Sequence, residues 1–208
     1  MSYSVKEMFV TLQGEGAQAG RRALFVRFSG CNLWTGRERH RATADCRFCD
    51  TDFVGTDGLN GGRYDCAELV ANMVGLWGEG ESRFAVMTGG EPLLQIDAPL
   101  LKAVRDAGFE IAVETNGTIA APDGIDWICV SPKAGTRIVQ RSGNELKLVW
   151  PQNGIDPDGL LDWRFDHFLI QPMDCVEGDA ARAAAIDFVM ANPRWRLSLQ
   201  THKLLGLP

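Results

Sequence analysis

A succession of short apolar runs, each closing on a small polar motif, constrains this chain more than any other feature. "RFAVMT" (83–88) runs into "GGEP", "FEIAVET" (109–115) into "NG", "WICVS" (127–131) into "PKAG" and "HFLIQ" (167–171) into "PMD". Such runs lack polar alternation, so they read as strands buried on both faces, the pattern of a parallel sheet. Parallel strands need crossovers, and helical patterns lie between them. Asp65 caps a helix to about Trp77, with Leu69, Val70, Met73, Val74 and Trp77 on one face. A second helix spans about 96–107 and stops at Gly108, a short one lies near 157–163, and another near 179–192. "VKEMFV" (5–10), "LFVRFS" (24–29), "NELKLVW" (144–150) and "RWRLSL" (194–199) complete the strands. The alternation predicts an α/β fold. A closed eight-fold barrel needs about 250 residues. This chain has 208, some of them in a cysteine-bearing loop inserted after an early strand. A partial, open barrel of about six βα units is therefore expected, as one domain over 1–208. Ligands in such sheets bind at the carboxyl ends of the strands, where the polar motifs sit.

Composition narrows the partners. A net charge of −6 and a pI near 5.1 argue against a surface that coats nucleic acid or anionic membrane. No apolar run approaches the roughly 18 residues of a spanning helix. The opening "MSYSVKEMFVTLQGEG" lacks the basic-then-apolar pattern of a signal peptide. The cytoplasm is the expected compartment, where clustered cysteines act as metal ligands rather than disulfides.

Cys31, Cys46 and Cys49 stand in the loop "SGCNLWTGRERHRATADCRFCDTDF" (29–53), with fourteen residues between the first two and two between the last pair. Three thiolates fill three corners of a tetrahedral zinc site or of an iron–sulfur cluster. For zinc, His40 within the loop completes a Cys3His set, although zinc sites usually space both ligand pairs tightly and only one close pair is present. For a four-iron cluster, one iron lacks a protein ligand, and an open metal position separates a reactive site from a sealed one. Of the other cysteines, Cys66 and Cys129 read as small core residues, and Cys175, just after "QPMD", reads as a core or loop residue, or as one near that motif's ligand.

The aromatic Phe48 before the last cysteine, the Cys46–Cys49 spacing and "GGEP" after the next strand resemble the radical S-adenosylmethionine (SAM) superfamily. The first cysteine gap is wider than the superfamily's usual one, an expansion that adds only about 1.4 kcal/mol of loop-closure cost. Within that superfamily the chain resembles the 7-carboxy-7-deazaguanine synthase family. "FVTLQGEG", "LFVRFSGCNLW", "CDTDF", "TGGEP", "ETNG", "SPK" and "QPMD" carry the resemblance, in that order along nearly the whole chain. It implies the abridged radical SAM barrel, a [4Fe–4S] cluster on Cys31, Cys46 and Cys49, SAM and Mg2+. It also implies the conversion of 6-carboxy-5,6,7,8-tetrahydropterin to 7-carboxy-7-deazaguanine, towards queuosine and related 7-deazapurines. A hydrogen atom leaves C6 for a 5′-deoxyadenosyl radical, the ring contracts and ammonia is lost, so no side chain is assigned as the catalyst. The implied partners are the pterin, a small electron-donor protein such as flavodoxin, and a second copy of the chain in a homodimer. The alternatives are a glycyl-radical activase, against which "QGEG" and "CDTDF" stand, and a zinc-stapled binding module.

The residues suit these roles physically. Gly89 and Gly90 lack Cβ atoms, so backbone can approach the amino group of SAM, although a plain strand-to-helix turn uses glycines too. Phe48, Cys49, Asp50, Glu91, Ser131, Pro132, Lys133, Gln171, Pro172, Met173 and Asp174 are expected around SAM. Ser131 would face ribose, Lys133 a carboxylate, and Phe48 with "QPMD" the adenine. For the substrate, Leu12, Gln13, Gly14 and Glu15 form a loop with free backbone N–H groups. Arg27 interrupts an apolar strand, so it lies either on a solvated face or in the site, where its fork would suit a carboxylate. Thr88 and Asn116 end neighbouring strands. Thr51 offers a hard oxygen for Mg2+, or a loop cap. Glu114 and His202 are acid–base candidates. Arg37, Arg39, Arg41 and Arg47 form a basic patch that either steers an acidic redox protein or is merely solvated. The closing "THKLLGLP" either frays, as last residues usually do, or folds over the site, and the resemblance implies the latter, with the Pro208 carboxylate accepting hydrogen bonds from the pterin.

Overall fold

The glycine-rich "QGEGAQAG" segment reverses the chain between two long strands. The computed structural model describes residues 2–208. β1 (Tyr3–Leu12) and β2 (Arg22–Phe28) form an antiparallel hairpin, and β3 (Gly62–Tyr64) pairs on the far side of β1. From β2 onward the sheet is parallel through β4 (Arg83–Gly89), β5 (Phe109–Thr115), β6 (Trp127–Val130), β7 (Ser142–Trp150), β8 (Arg164–Pro172) and β9 (Arg196–Leu197). The strand order is β3-β1-β2-β4-β5-β6-β7-β8-β9, without pairing between the two edges, so the barrel is partial and open as expected.

Helices fill only some of the crossovers: α1 (Cys66–Trp77), α2 (Ala98–Asp106), α3 (Pro157–Leu160) and α4 (Gly178–Ala191). The β5–β6 and β6–β7 connections are loops, punctuated by Pro122, Gly124, Pro132 and Gly135, which break any helical run. The final strand is shorter than its apolar pattern predicts. The chain then turns into α5 (Thr201–Leu205), which the sequence reading does not anticipate.

Local rules explain the elements that were anticipated. The Asp65 carboxylate accepts from Glu68 N while the Glu68 carboxylate accepts from Asp65 N, a capping box that starts α1. Leu69, Met73 and Trp77 recur every four residues and are buried against the sheet, with the Trp77 ring 6.0 Å from Phe109. Residues Phe84 to Thr88 of β4 are all buried, as a strand covered on both faces requires. α1 and α2 cover the sheet from β1 to β5, and α4 packs Ala185 with Phe168 and Trp195 over its second half. No helix of the described residues is long and apolar enough to cross a membrane. Within this apolar frame Gln13, Thr88, Glu91, Thr115, Asn116, Glu145, Lys147 and Gln171 are buried. Buried polar groups need partners, and theirs define the site.

Candidate active site

Alternate residues of a strand face the same side, and that period builds one cavity. Glu7 and Phe9 of β1, Phe25 and Arg27 of β2, Cys129 and Ser131 at the end of β6, and Lys147 and Val149 of β7 line a space of about 390 Å³. Thr88, Glu114, Asn116 and Gln171 join them from the neighbouring strands.

Cys31, Cys46 and Cys49 are free thiols in the same wall. Gly30 O accepts from Glu91 N at 2.9 Å, which brings the cysteine loop against the end of β4. A Cβ on Gly90 would lie 2.2 Å from Gly30 O and 2.7 Å from Cys31 Cβ, so this contact requires glycine. Gly89 has a φ of 136°, also a glycine conformation. Leu33 N donates to Cys31 Sγ at 3.4 Å, and Asp45 N and Cys46 N both donate to Leu33 O. The contact with Cys46 lowers the Cys49 thiol to about 6 against the effect of burial. The same contact, reinforced by burial, pushes Cys46 up.

His40 stays outside the cavity lining. Its Nδ1 pairs with the Thr35 hydroxyl at 2.8 Å and its Nε2 accepts from Arg39 Nε at 3.2 Å, so it completes no Cys3His set. Among the described residues no three His, Cys, Asp or Glu side chains converge as ligands of a single ion. Three free thiols in one wall are the donor set that a four-iron cluster with one open iron takes.

The residues expected around SAM assemble beside the cysteines. Phe48, Asp50, Gly89, Gly90, Ser131, Lys133, Gln171, Pro172, Met173 and Asp174 all line the cavity. Lys133 Nζ donates to Ser131 Oγ at 2.7 Å and lies 5.6 Å from the Phe48 ring centre. Burial lowers the Lys133 pKa, opposed by Cys46 and Cys49. Glu91 and Pro132 lie outside the lining. The fully buried Glu91 carboxylate accepts from Leu93 N, Thr115 Oγ1 and Asn116 N, which ties the ends of β4 and β5 together. Pro132 O accepts from Gln152 Nε2.

Leu12, Gln13, Gly14, Glu15, Arg27, Thr88, Asn116, Thr51 and Pro208 line the other part of the cavity, with Glu114 and His202. Gln13 Nε2 donates to Glu114 at 3.1 Å, and Thr88 Oγ1 donates to its second oxygen at 3.4 Å. Glu15 is ion-paired with Lys147 and accepts from Gln200 Nε2 at 2.8 Å. Burial works to raise the Glu15 pKa, but the Lys147 charge and these hydrogen bonds hold it down at about 2. Burial works against the Lys147 ammonium in turn, and Glu114 and Glu15 push its pKa well up. Arg27 Nε donates to Glu7 at 2.8 Å, leaving its terminal nitrogens without partners among the described residues. Asp50 and Asp52 are each paired with a lysine, Lys203 and Lys6, at 2.8 Å, whereas the intervening Thr51 hydroxyl makes no hydrogen bond within the described chain.

α5 closes this end. Thr201 N and Oγ1 donate to Gly14 O at 2.9 and 3.0 Å, and Lys203 bridges Asp50 and Asp174. The closing residues thus fold over the cavity as anticipated. Lys147, Gln200 and Lys203 are among the cavity-lining residues that the sequence reading did not assign to the site. Lys147 had a signal, a charge inside the apolar run "NELKLVW", of the same kind that singled out Arg27. Of the remaining cysteines, Cys66 opens α1, Cys129 is buried in the cavity wall and Cys175 is exposed.

An open parallel barrel with three free cysteines and glycine-edged strand ends around one cavity is the architecture of a radical SAM enzyme. No protein-family model matches the chain. The 7-carboxy-7-deazaguanine synthase of Bradyrhizobium diazoefficiens is 58% identical over 209 residues, covering all of both chains. That of Caulobacter vibrioides is 58% identical over 210 residues, again covering all of both chains. The crystal structure of QueE from Escherichia coli superposes with a TM-score of 0.72 at 28% identity, covering 96% of this chain and 94% of that one. The chain belongs to the 7-carboxy-7-deazaguanine synthase family.

Proposed function

We propose that this chain converts 6-carboxy-5,6,7,8-tetrahydropterin to 7-carboxy-7-deazaguanine with loss of ammonia, a step towards queuosine and related 7-deazapurines. The observation that carries this reading is the sharing of one cavity by three free cysteines and by a pocket of carboxylates with an arginine. Cys31, Cys46 and Cys49 would hold a [4Fe–4S] cluster. Gly89, Gly90, Ser131, Lys133, Phe48, Asp50 and the 171–174 segment would hold SAM. When bound, these groups supply the radical that removes hydrogen from C6.

The chain's own part is binding, orientation and exclusion of water. The free terminal nitrogens of Arg27 suit the substrate carboxylate. Gln13, Glu15 and Glu114 offer acceptors to the N–H donors of a pterin, and Lys147 keeps Glu15 ionised for that purpose. Leu12, Gly14, Thr88, Asn116 and Pro208 shape the wall. Mg2+ takes oxygen ligands, and Thr51 offers a hydroxyl that the two neighbouring aspartates leave uncovered. Arg37, Arg39 and Arg47 are exposed and would receive a small acidic electron carrier such as flavodoxin. A second copy of the chain is the expected oligomeric partner.

The test is anaerobic reconstitution followed by an iron count and product analysis. About four irons per chain and pterin-dependent release of ammonia are expected. Cys31→Ala, Cys46→Ala and Cys49→Ala should each lose the cluster, whereas Cys66→Ala should keep it. A colourless zinc protein that His40→Ala strips of metal would end this reading.

A further inference from the structure

Of the arginines in and beside the insert between Cys31 and Cys46, Arg41 has no part in the function proposed above. Residues Glu38–Thr43 of the insert form a 3₁₀ helix, and from it Arg41 turns back towards the ligand pair. Its Nε donates to both Glu38 oxygens, at 2.9 and 2.8 Å. One terminal nitrogen donates to two carbonyls, Arg47 O at 2.9 Å and Cys49 O at 3.1 Å. The guanidinium lies over the Trp34 ring, 4.1 Å from its centre, and Trp34 meets Phe53 edge-on at 5.6 Å. Arg37, Arg39 and Arg47 are exposed, but the Arg41 side chain is only 29% exposed.

The two carbonyls bracket the close cysteine pair, since Arg47 follows Cys46 and the other carbonyl is that of Cys49 itself. Trp34 stands three residues after Cys31. A single planar group therefore joins the backbone around two ligands to a ring on the chain leaving the third. The arrangement needs a fork with in-plane donors and a flat face, which an ammonium lacks.

We infer that Arg41 is a positioning residue for the iron–sulfur cluster, clamping the Cys46–Cys49 segment against Trp34 so that the three thiolates keep their spacing. The inference rests on the reading of the cysteines as cluster ligands. Partners one step removed from metal ligands commonly change metal retention by about 10–100-fold.

The experiment follows iron release to a ferrous chelator from anaerobically reconstituted parent, Arg41→Gln, Arg41→Lys and Arg39→Gln proteins. Thermal midpoints of the metal-free chains are measured alongside. Arg41→Gln should release iron about 10–100-fold faster than the parent, with an unchanged metal-free midpoint. Arg41→Lys should fall between them, because it keeps the charge and can reach one carbonyl. Arg39→Gln, on the same 3₁₀ helix but bonded only to His40, should match the parent. Parental iron retention by Arg41→Gln would overturn the inference. So would equally fast release from Arg39→Gln, or a lowered metal-free midpoint that accounts for the loss. A parent that takes up no iron would overturn the cluster reading instead, so the two failures are distinct.

Discussion

Taking the Lys147 ammonium out of water costs several kcal/mol, which its pairing with Glu15 and its 3.7 Å approach to Glu114 must offset. Removing one member of such a pair strands the other, at about 3–5 kcal/mol. Lys147→Met should therefore lower the unfolding free energy at pH 7, obtained from urea titration, by an amount of that order. The sign of the pH dependence follows from Glu15. Its folded pKa of about 2 lies below the usual 4.5, so its stabilisation is complete above 4.5 and fades as pH falls towards 2. Against burial, Glu114 and then Glu15 shift Lys147 up, which places its alkaline loss above the usual 10.5, and the Glu15 part of that shift is the same interaction rather than a second contribution at neutral pH. The gap in stability between parent and Lys147→Met should thus narrow between pH 4.5 and 2. A gap independent of pH over that range would show that the pair is not what holds Glu15 ionised.

α5 is short, and its placement depends on what it touches. It rests on the 12–15 loop through Thr201 and Gly14, and on the cysteine loop and the 171–174 segment through Lys203. A Cβ on Gly14 would lie 2.1 Å from His202 Nδ1 and 2.7 Å from His202 N, so Gly14→Ala must push the helix away. The expected result is faster tryptic cleavage after Lys203 and a higher KM for the pterin, with iron content unchanged. Normal protease resistance would mean that α5 does not depend on this contact.

The chain carries a net charge of −6, yet the cysteine loop presents Arg37, Arg39 and Arg47 outward. Arg41, which on paper belongs to the same basic run, is turned inward by Glu38 and two carbonyls. Only three of the four arginines are therefore placed to steer an acidic electron carrier. Neutralising those three should slow turnover driven by flavodoxin and leave dithionite-driven turnover unchanged. The difference should shrink as salt rises, because the screening length falls from about 30 Å at 0.01 M to about 8 Å at 0.15 M. Equal losses with both reductants would mean that the loop acts on structure rather than on encounter.

Much of this architecture was legible in the sequence because the signals were local. Burial on both faces marks β4 and β5 as apolar runs. The Asp65 cap and the four-residue recurrence to Trp77 mark α1, and glycines at the strand ends mark the cavity edge. Seven short motifs in order carried the family. Which side chains meet across the cavity was decided only by the tertiary structure. Lys147 and Glu15 are 132 positions apart, and Gln200 and Glu15 are 185 apart. The withdrawal of Arg41 and the burial of Glu91 behind the cavity wall were equally hidden. No local window distinguishes a solvated arginine from one stacked on Trp34, or a glutamate facing a ligand from one capping two strand ends. Those choices follow from how the sheet curves and which loop ends it brings together, and only the folded chain as a whole holds that information.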